Sequence, residues 1–384
     1  MISNVNKLII WILLFSCCWG LLTPQFVLLP VILALFYMIK AILERQSGMF
    51  KKHLIIYFIF FIISGFSSSY YEQQSLLKTF SSIACLQFFT ILSYFVFLSG
   101  KYSIKDIEKA MVIAYVIFLC CFTIQLIYPD KIFNLATDYM DIGRFTMYGQ
   151  LIAYICLFYF YGKYLFSGKT KYLLYILPAF FVLFIAGFRT QIAAILLALG
   201  LFTYSVKKIA SIKYMLLFLI VIGVLYQTSV VQNSINNMMK RQEAGDTFAN
   251  EDYIRVIQFN YFTKEHFKSP VEYILGSGIP NPRTKYGQPF YTVDLTLGPY
   301  NGWQDWGIVG LSWMIGIPAV LALLFPVFRI IRRKCDDKIL FLKFFYIFLL
   351  LSSFTTIEFY RVGSFFFHGL LFYLYELYHR HSKH

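Results

Sequence analysis

Long apolar runs, separated by short polar segments, make up most of the chain. Each run is roughly 15 to 22 residues long, close to the roughly 20 that a helix needs to cross a bilayer. Strands of a membrane barrel would instead alternate apolar and polar positions. The pattern therefore predicts an all-α, polytopic membrane protein with about twelve transmembrane helices. The predicted spans are Leu8–Leu22, Phe26–Leu43, His53–Phe66, Thr79–Gly100, Ala110–Tyr128, Phe145–Phe166, Tyr172–Phe188, Ile192–Val206, Met215–Val231, Gly307–Phe328, Ile339–Phe359 and Ser364–Tyr378.

One long polar stretch, residues 232–305, interrupts this pattern between the ninth and tenth spans. It divides the chain into transmembrane helices 1 to 9 (residues 1–231), a loop (232–305), and transmembrane helices 10 to 12 with a tail (306–384). A short helix is predicted within the loop at about 251–267, with Asn250 as its N-cap and acidic residues in its first turn. Lys268-Ser269-Pro270 would end it.

The charge balance changes the picture in one respect. The chain is 59% hydrophobic and 14% charged, with a formal net charge of +15. Its basic residues fall in short clusters between spans, which is typical of cytoplasmic loops and argues against a nucleic-acid partner. This distribution places both termini in the cytoplasm and residues 232–305 outside. No cysteine lies in the polar stretch and no CxxC spacing occurs, so a disulfide, a metal site or a cofactor is not expected.

Several arginines lie on the predicted outer side, where the positive-inside bias makes basic residues uncommon. Their presence there suggests a function. Arg189 is the sharpest case, because it lies between the apolar segments FVLFIAGF and IAAILLALG, where an unpaired arginine costs about 2.5 kcal/mol or more. Each arginine alone could simply reach lipid phosphates. As a set they suggest a binding site for a lipid pyrophosphate, since guanidinium groups bind phosphates bidentately and keep their charge. The outer arginines are Arg144, Arg189, Arg241, Arg255, Arg283 and Arg361.

Other residues in and near the polar stretch have competing interpretations. Glu358 lies three residues before Arg361, which favours an ion pair over a catalytic base. His266 is expected on the surface of the loop helix. Tyr300 and Trp303 could stack on sugar rings, although aromatic residues are also common at membrane interfaces.

Four segments, read in order, carry a family resemblance. They are GFRTQ before the apolar run IAAILLALGLF, YIRVIQFNYF in the polar stretch, KSPVEYILGSGIPN, and WQDWGIVGLSWMIGIP entering a span. This order resembles the O-antigen ligase and O-antigen polymerase superfamily of bacterial membrane glycosyltransferases. The resemblance implies a GT-C-like fold in the cytoplasmic (inner) membrane and a metal-independent transferase. Arg189 and Arg255 match arginines that hold the lipid pyrophosphate, Gly276 and Gly278 match a turn, and Asp305 matches an acidic residue.

One departure from the pattern favours one of the two activities of that superfamily over the other. Ligases usually carry a His-Asn pair about nine residues before the acid, whereas here the region 294–301 reads DLTLGPYN, without a histidine. We therefore expect a polymerase of undecaprenyl-pyrophosphate-linked oligosaccharides, which act as donor and acceptor, with a chain-length regulator as a further partner. The alternatives are an O-antigen ligase and a transporter or flippase of lipid-linked sugars. The expected catalytic residues are Arg189, Arg255, Asp294 and Asp305, with Arg144, Arg283, Arg361, Tyr300 and Trp303 as substrate-binding residues.

Overall fold

A computed structural model describes residues 3–14, 28–100, 102–128, 145–208, 253–291, 302–334, 336–354 and 356–381, with scattered positions between 223 and 243. In this part of the chain the regular elements are helical, which confirms the all-α class. The helices are α1 (Asn4–Ile12), α2 (Leu28–Leu43), α3 (Lys51–Tyr71), α4 (Leu76–Ser81), α5 (Ile83–Phe89), α6 (Ser93–Gly100), α7 (Ile104–Ile127), α8 (Leu151–Ser167), α9 (Leu173–Ala186), α10 (Arg189–Lys207), α11 (Ile254–Lys264), α12 (Pro270–Leu275), α13 (Gln288–Tyr291), α14 (Gly307–Ile315), α15 (Ile317–Arg332), α16 (Leu340–Ser352) and α17 (Ser364–His381).

Three of these helices, α3, α7 and α10, are long and apolar enough to cross a membrane. Four further apolar segments have between 10 and 17 residues: α2, residues 84–100, α8, and residues 170–186. These helices are those expected of a membrane protein. Apart from the isolated positions 223 and 227, the predicted ninth span, Met215–Val231, lies outside the described residues. The number of twelve spans stays a prediction.

Two spans that were predicted to be continuous are broken. Residues 79–100 form α4, α5, a short 3₁₀ turn and α6, and the extended Ser82 at the first break caps α5 by accepting a hydrogen bond from the Cys85 N–H. Residues 307–328 divide at Gly316, whose φ of +86° favours glycine, and Pro318 follows as α15 begins. A continuous apolar run therefore contains helix ends that need hydrogen-bond partners.

The polar stretch supplies those partners at the second break. Ser277 N–H donates to the Trp313 carbonyl at 2.9 Å, and Gly278 N–H donates to the Met314 carbonyl at 2.8 Å. A Cβ on Gly276 would lie 2.4 Å from the backbone N of Gly316, so the close approach requires glycine. Residues 276–281 are buried beside α3 and α14. The stretch predicted to be an outer loop is thus partly inserted into the helical bundle.

The bundle is organised around α17, which is buried on nearly all sides along its length. α17 packs on α6 and α7, α3 packs on α15, and α16 lies against α8 and α10. We call one end of the bundle the outer end; it comprises residues 145–150 and 187–191 and the described parts of 253–306 and 353–364. The opposite end is called the inner end; it comprises residues 102–109, 163–172 and 376–381 and the described part of 333–341. The core between them is mainly aromatic and aliphatic.

Candidate functional site

A buried carboxylate is the centre of the outer end. Glu358 is fully buried, and its Oε1 accepts hydrogen bonds from Arg361 Nε at 2.5 Å, Gln191 Nε2 at 2.7 Å and Gln150 Nε2 at 3.5 Å. Tyr154 donates to Gln191 Oε1 at 3.2 Å, which fixes the orientation of that amide. Three separate segments of the chain thus meet at one carboxylate.

The ion pair predicted between Glu358 and Arg361 is present. Arg361 Nη2 lies 2.5 Å from Glu358 Oε1, and the two side chains are 5% and 0% exposed. The Arg361 guanidinium also lies over the Phe188 ring, 5.2 Å from its centroid. Because both charges are removed from water, each depends on the other for compensation. Arg361 is therefore fixed in place by Glu358.

This network orients the start of α10, where Arg189 is the first residue. Phe188 precedes Arg189 and touches Arg361, while Gln191 follows it and donates to Glu358. Arg189 itself is exposed at the outer end. The N-terminus of a helix carries a partial positive charge that adds to that of the guanidinium. The positive charge at the start of α10 therefore favours an anionic ligand.

A short 3₁₀ turn, Trp303–Trp306, connects this network to the polar stretch. Trp303 is 2% exposed and stacks on Tyr360, with ring centroids 5.4 Å apart, and Tyr360 donates to the Gln304 carbonyl. A Cβ on Gly310 would lie 1.8 Å from the Trp303 carbonyl oxygen, so only glycine permits this packing. The burial of Trp303 favours a structural role for a ring that was predicted to bind substrate.

The same turn touches the helix that carries Arg255. Gln258, one turn after Arg255 on α11, donates from Nε2 to Asp305 Oδ2 at 3.3 Å, and Phe259 packs on Trp306 with ring centroids 4.8 Å apart. Arg255 is half-buried. A series of contacts therefore runs from Gln258 on α11 through the Trp303–Trp306 turn and the Glu358 network to Gln191 on α10. Arg255 and Arg189 lie on the two helices that this series joins.

The loop helix ends earlier than predicted, and this changes the position of His266. α11 ends at Lys264, so the chain turns and His266 is buried, 5% exposed, among aromatic rings rather than on the surface. Its Nε2 lies 2.9 Å from Ser277 Oγ, to which Tyr286 also donates. Burial, with a smaller contribution from Lys268, lowers the pKa of His266 to about 3. His266 is a neutral packing residue in this environment.

Lys268 joins this loop to the end of α3 and also contacts a second acidic residue within the loop. Lys268 Nζ lies 3.0 Å from Glu72 Oε1, and the Lys268 N–H donates to Glu272 Oε2 at 2.8 Å. Burial raises the pKa of the Glu272 carboxyl to about 7; the hydrogen bond from Lys268 opposes this shift, and the nearby Glu72 adds to it. The Glu272 carboxyl therefore titrates near neutral pH.

Arg283 lies in a turn beside α4 and takes no part in the described contacts between α11 and α10. It is exposed on the turn after Asn281 and lines a cavity of about 600 Å³ together with Lys78. Apolar side chains such as Leu28 and Leu86 complete the described part of the wall. The Asn281 amide donates to the Lys78 carbonyl at 2.6 Å, which holds the turn against α4.

The remaining predicted site residues lie outside the described residues. These are Arg144, Asp294 and Tyr300, together with the outer arginine Arg241. Conversely, the sequence interpretation did not select Gln150, Gln191 and Gln258. The sequence feature that could have pointed to them is a glutamine in or beside an apolar run, because an amide buried there needs a polar partner.

Comparison of the chain with protein-family models, curated proteins and solved structures gives no match. The geometry of the outer end and the motifs in the sequence are therefore the basis for assigning a function.

Proposed function

We propose that the chain is a polysaccharide polymerase of the bacterial cytoplasmic membrane, acting at its outer face on undecaprenyl-pyrophosphate-linked oligosaccharide repeat units. The observation that carries the proposal is the contact series that joins the first turn of α10, with Arg189, to α11, with Arg255. Two arginines from distant parts of the chain thereby belong to one packed unit at the same end of the bundle. The polymer would be O-antigen, capsule or exopolysaccharide.

The reaction would join two lipid-linked molecules. A hydroxyl oxygen of the acceptor sugar forms a bond to the anomeric carbon of the donor, while the bond from that carbon to the pyrophosphate oxygen breaks. The electron pair leaves with the pyrophosphate, whose negative charge Arg189 and Arg255 would stabilise. The hydroxyl proton passes to a carboxylate, for which we propose Asp305 or Asp294.

The buried network would act by positioning. Glu358 holds Gln191, two residues after Arg189, and Arg361, whose guanidinium lies over the ring of Phe188, the residue before Arg189. Because the start of α10 would be held in place, the Arg189 guanidinium would need less reorganisation when charge develops on the leaving group. Such preorganisation is the main source of electrostatic catalysis. Arg283 and Lys78 line a separate cavity, which we propose for the second lipid-linked molecule. A chain-length regulator completes the proposed partners.

Replacement of the two arginines tests this function. Arg189→Ala and Arg255→Ala should each reduce long-chain polymer by at least about 100-fold, the size of effect seen when one charge-stabilising donor is lost. Polymer length would be measured by gel analysis of surface polysaccharide from cells that carry each variant at equal membrane abundance. Matched controls lie on the same helices: Lys207→Ala at the inner end of α10, and the exposed Lys264→Ala at the end of α11.

The products that accumulate distinguish the alternatives. Single repeats on the cell surface support a polymerase. Complete polymer that remains on its lipid carrier would instead indicate the ligase, and units trapped inside the cell would indicate a flippase. Normal polymer length in either arginine variant would refute the role proposed for that residue.

A further inference from the structure

The inner end contains a cavity that the proposed reaction does not use. It has a volume of about 720 Å³ and is lined by residues of α7, α8, α16 and α17 and of the segments beside them. Small-molecule sites in proteins usually measure about 300–1,000 Å³, so the cavity has the size of a ligand site. It lies at the opposite end of the bundle from Arg189.

The cavity contains a carboxylate that is already engaged. Tyr159 donates to Glu108 Oε2 at 2.9 Å, and Tyr378 donates to Glu108 Oε1 at 2.7 Å. Lys163 Nζ lies 3.8 Å from Glu108 Oε2 and 4.5 Å from the centroid of the Tyr159 ring. These contacts join α7, α8 and α17 around one side of the cavity. Glu108 therefore has a structural role and does not leave the site acidic.

Two further lysines supply positive charge. Lys105 and Lys338 line the cavity, are exposed, and form no ion pair within the described part of the chain. With Lys163 they give three ammonium groups against two carboxylates, those of Glu108 and Asp337. The excess of positive charge at the rim, beside tyrosine hydroxyls, favours an anion.

The remaining wall is apolar and reaches the surface of the bundle. Phe166, Phe341 and Ile104 line the cavity, and Phe166 is 39% exposed. All three lysines are at helix ends: Lys105 in the first turn of α7, Lys163 near the end of α8, and Lys338 just before α16. In a membrane protein such positions lie at the level of the lipid headgroups.

We propose that this cavity binds one anionic phospholipid. The phosphate of the headgroup would lie among Lys105, Lys163 and Lys338, and the start of an acyl chain would lie against Phe166 and Phe341. Basic pockets between transmembrane helices on the cytoplasmic side bind anionic lipid headgroups in this manner. The site would thus anchor the inner end of the bundle to a specific lipid.

Lipid titration of the purified full-length protein tests the proposal. Native mass spectrometry would measure the Kd for phosphatidylglycerol and for phosphatidylcholine in detergent. Phosphatidylglycerol should bind more tightly, and Lys105→Gln with Lys338→Gln should weaken it roughly 25-fold, since each lysine contributes about 1 kcal/mol. The charge-preserving pair Lys105→Arg with Lys338→Arg should retain most of the affinity.

The control pair is Lys52→Gln with Lys169→Gln. Both residues are exposed and do not line the described wall of the cavity. Their replacement removes two positive charges, the same number as in the test pair. Equal Kd values for the two lipids, or equal losses in the two glutamine pairs, would overturn the proposal. An excess of inorganic phosphate should leave the bound lipid in place; lysine-dependent displacement by phosphate would mean a site for soluble phosphate instead.

Discussion

The Glu358 network at the outer end and the Glu108 cavity at the inner end use similar groups in different surroundings. Glu358 and Arg361 are 0% and 5% exposed, whereas Glu108 and Lys163 are 20% and 41% exposed. Amide side chains hold Glu358, while tyrosine hydroxyls hold Glu108. A buried ion pair fixes the geometry of the residues around it, as the proposed catalysis requires. A partly open pair leaves room and charge for a ligand.

The largest expected difference between the two regions is in the free energy of unfolding that is lost when each carboxylate is removed. Glu358→Ala leaves Arg361 as an uncompensated buried charge, so the free energy of unfolding should fall by about 3–5 kcal/mol. Glu108→Ala should reduce it by only about 1–2 kcal/mol, because water reaches the groups left behind. Denaturant unfolding in micelles measures both. Similar losses in the two variants would mean that the burial difference has no energetic consequence.

A double replacement sharpens this test. Glu358→Ala combined with Arg361→Leu removes both buried charges and should recover part of the stability lost by Glu358→Ala alone. If the double variant is no more stable than the single variant, the loss comes from packing and not from the unpaired arginine.

Glycine substitutions compare the two ends by backbone packing. Gly276→Ala, where φ is +86° and Cβ would lie 2.4 Å from Gly316 N, should cost about 2–5 kcal/mol of stability. Gly168, after α8 at the inner end, also has a positive φ (+68°), but no atom lies within 4 Å of its ideal Cβ. Gly168→Ala should therefore cost only about 1–2 kcal/mol. Equal costs would show that residues 276–281 are not inserted against α14.

The last predicted effect is a pH dependence at the outer end. Glu272 has its pKa raised from 4.5 to about 7, so its contribution to stability falls as the pH rises through that interval. His266 has its pKa lowered from 6.5 to about 3, so its contribution rises with pH up to 6.5. The two effects oppose each other between about pH 4.5 and 6.5, each at most ~1.4 kcal/mol per pH unit.

Glu272→Gln should therefore leave the contribution of His266 as the main pH dependence of stability at this site. In that variant stability should rise with pH up to 6.5, whereas the unmodified protein should change less. Hydrogen exchange of the Ser277 and Gly278 amides, which are bonded to α14, reports this locally. Identical pH profiles for the variant and the unmodified protein would refute the assignment to Glu272.

The sequence predicted the helical class and singled out Arg189 at a boundary between apolar segments, because both features depend on local composition. A long apolar run indicates a helix that is surrounded by lipid or by other apolar helices. A charged residue such as arginine at the end of such a run can be recognised from the sequence alone. The ion pair of Glu358 and Arg361 was accessible for the same reason, since the two residues are three positions apart.

Features that depend on distant contacts could not be predicted. The break at Gly316 requires residues 277 and 278 as hydrogen-bond donors from about forty positions earlier. Burial of His266 follows from the early end of α11 and from Ser277, and the role of Gln191 follows from Glu358, far along the chain. In each case nothing in the neighbouring sequence distinguishes the polar residue, because its hydrogen-bond partner is determined by tertiary packing.

The most direct test of the account is turnover by the purified protein in a defined bilayer. With undecaprenyl-pyrophosphate-linked repeat units as the only substrate, the protein should produce chains that grow by whole repeats and should release one undecaprenyl pyrophosphate for each unit joined. Arg189→Ala and Arg255→Ala should stop both products, while Lys207→Ala and Lys264→Ala should not. Chain growth that persists in the arginine variants, or no growth with the unmodified protein, would contradict the account.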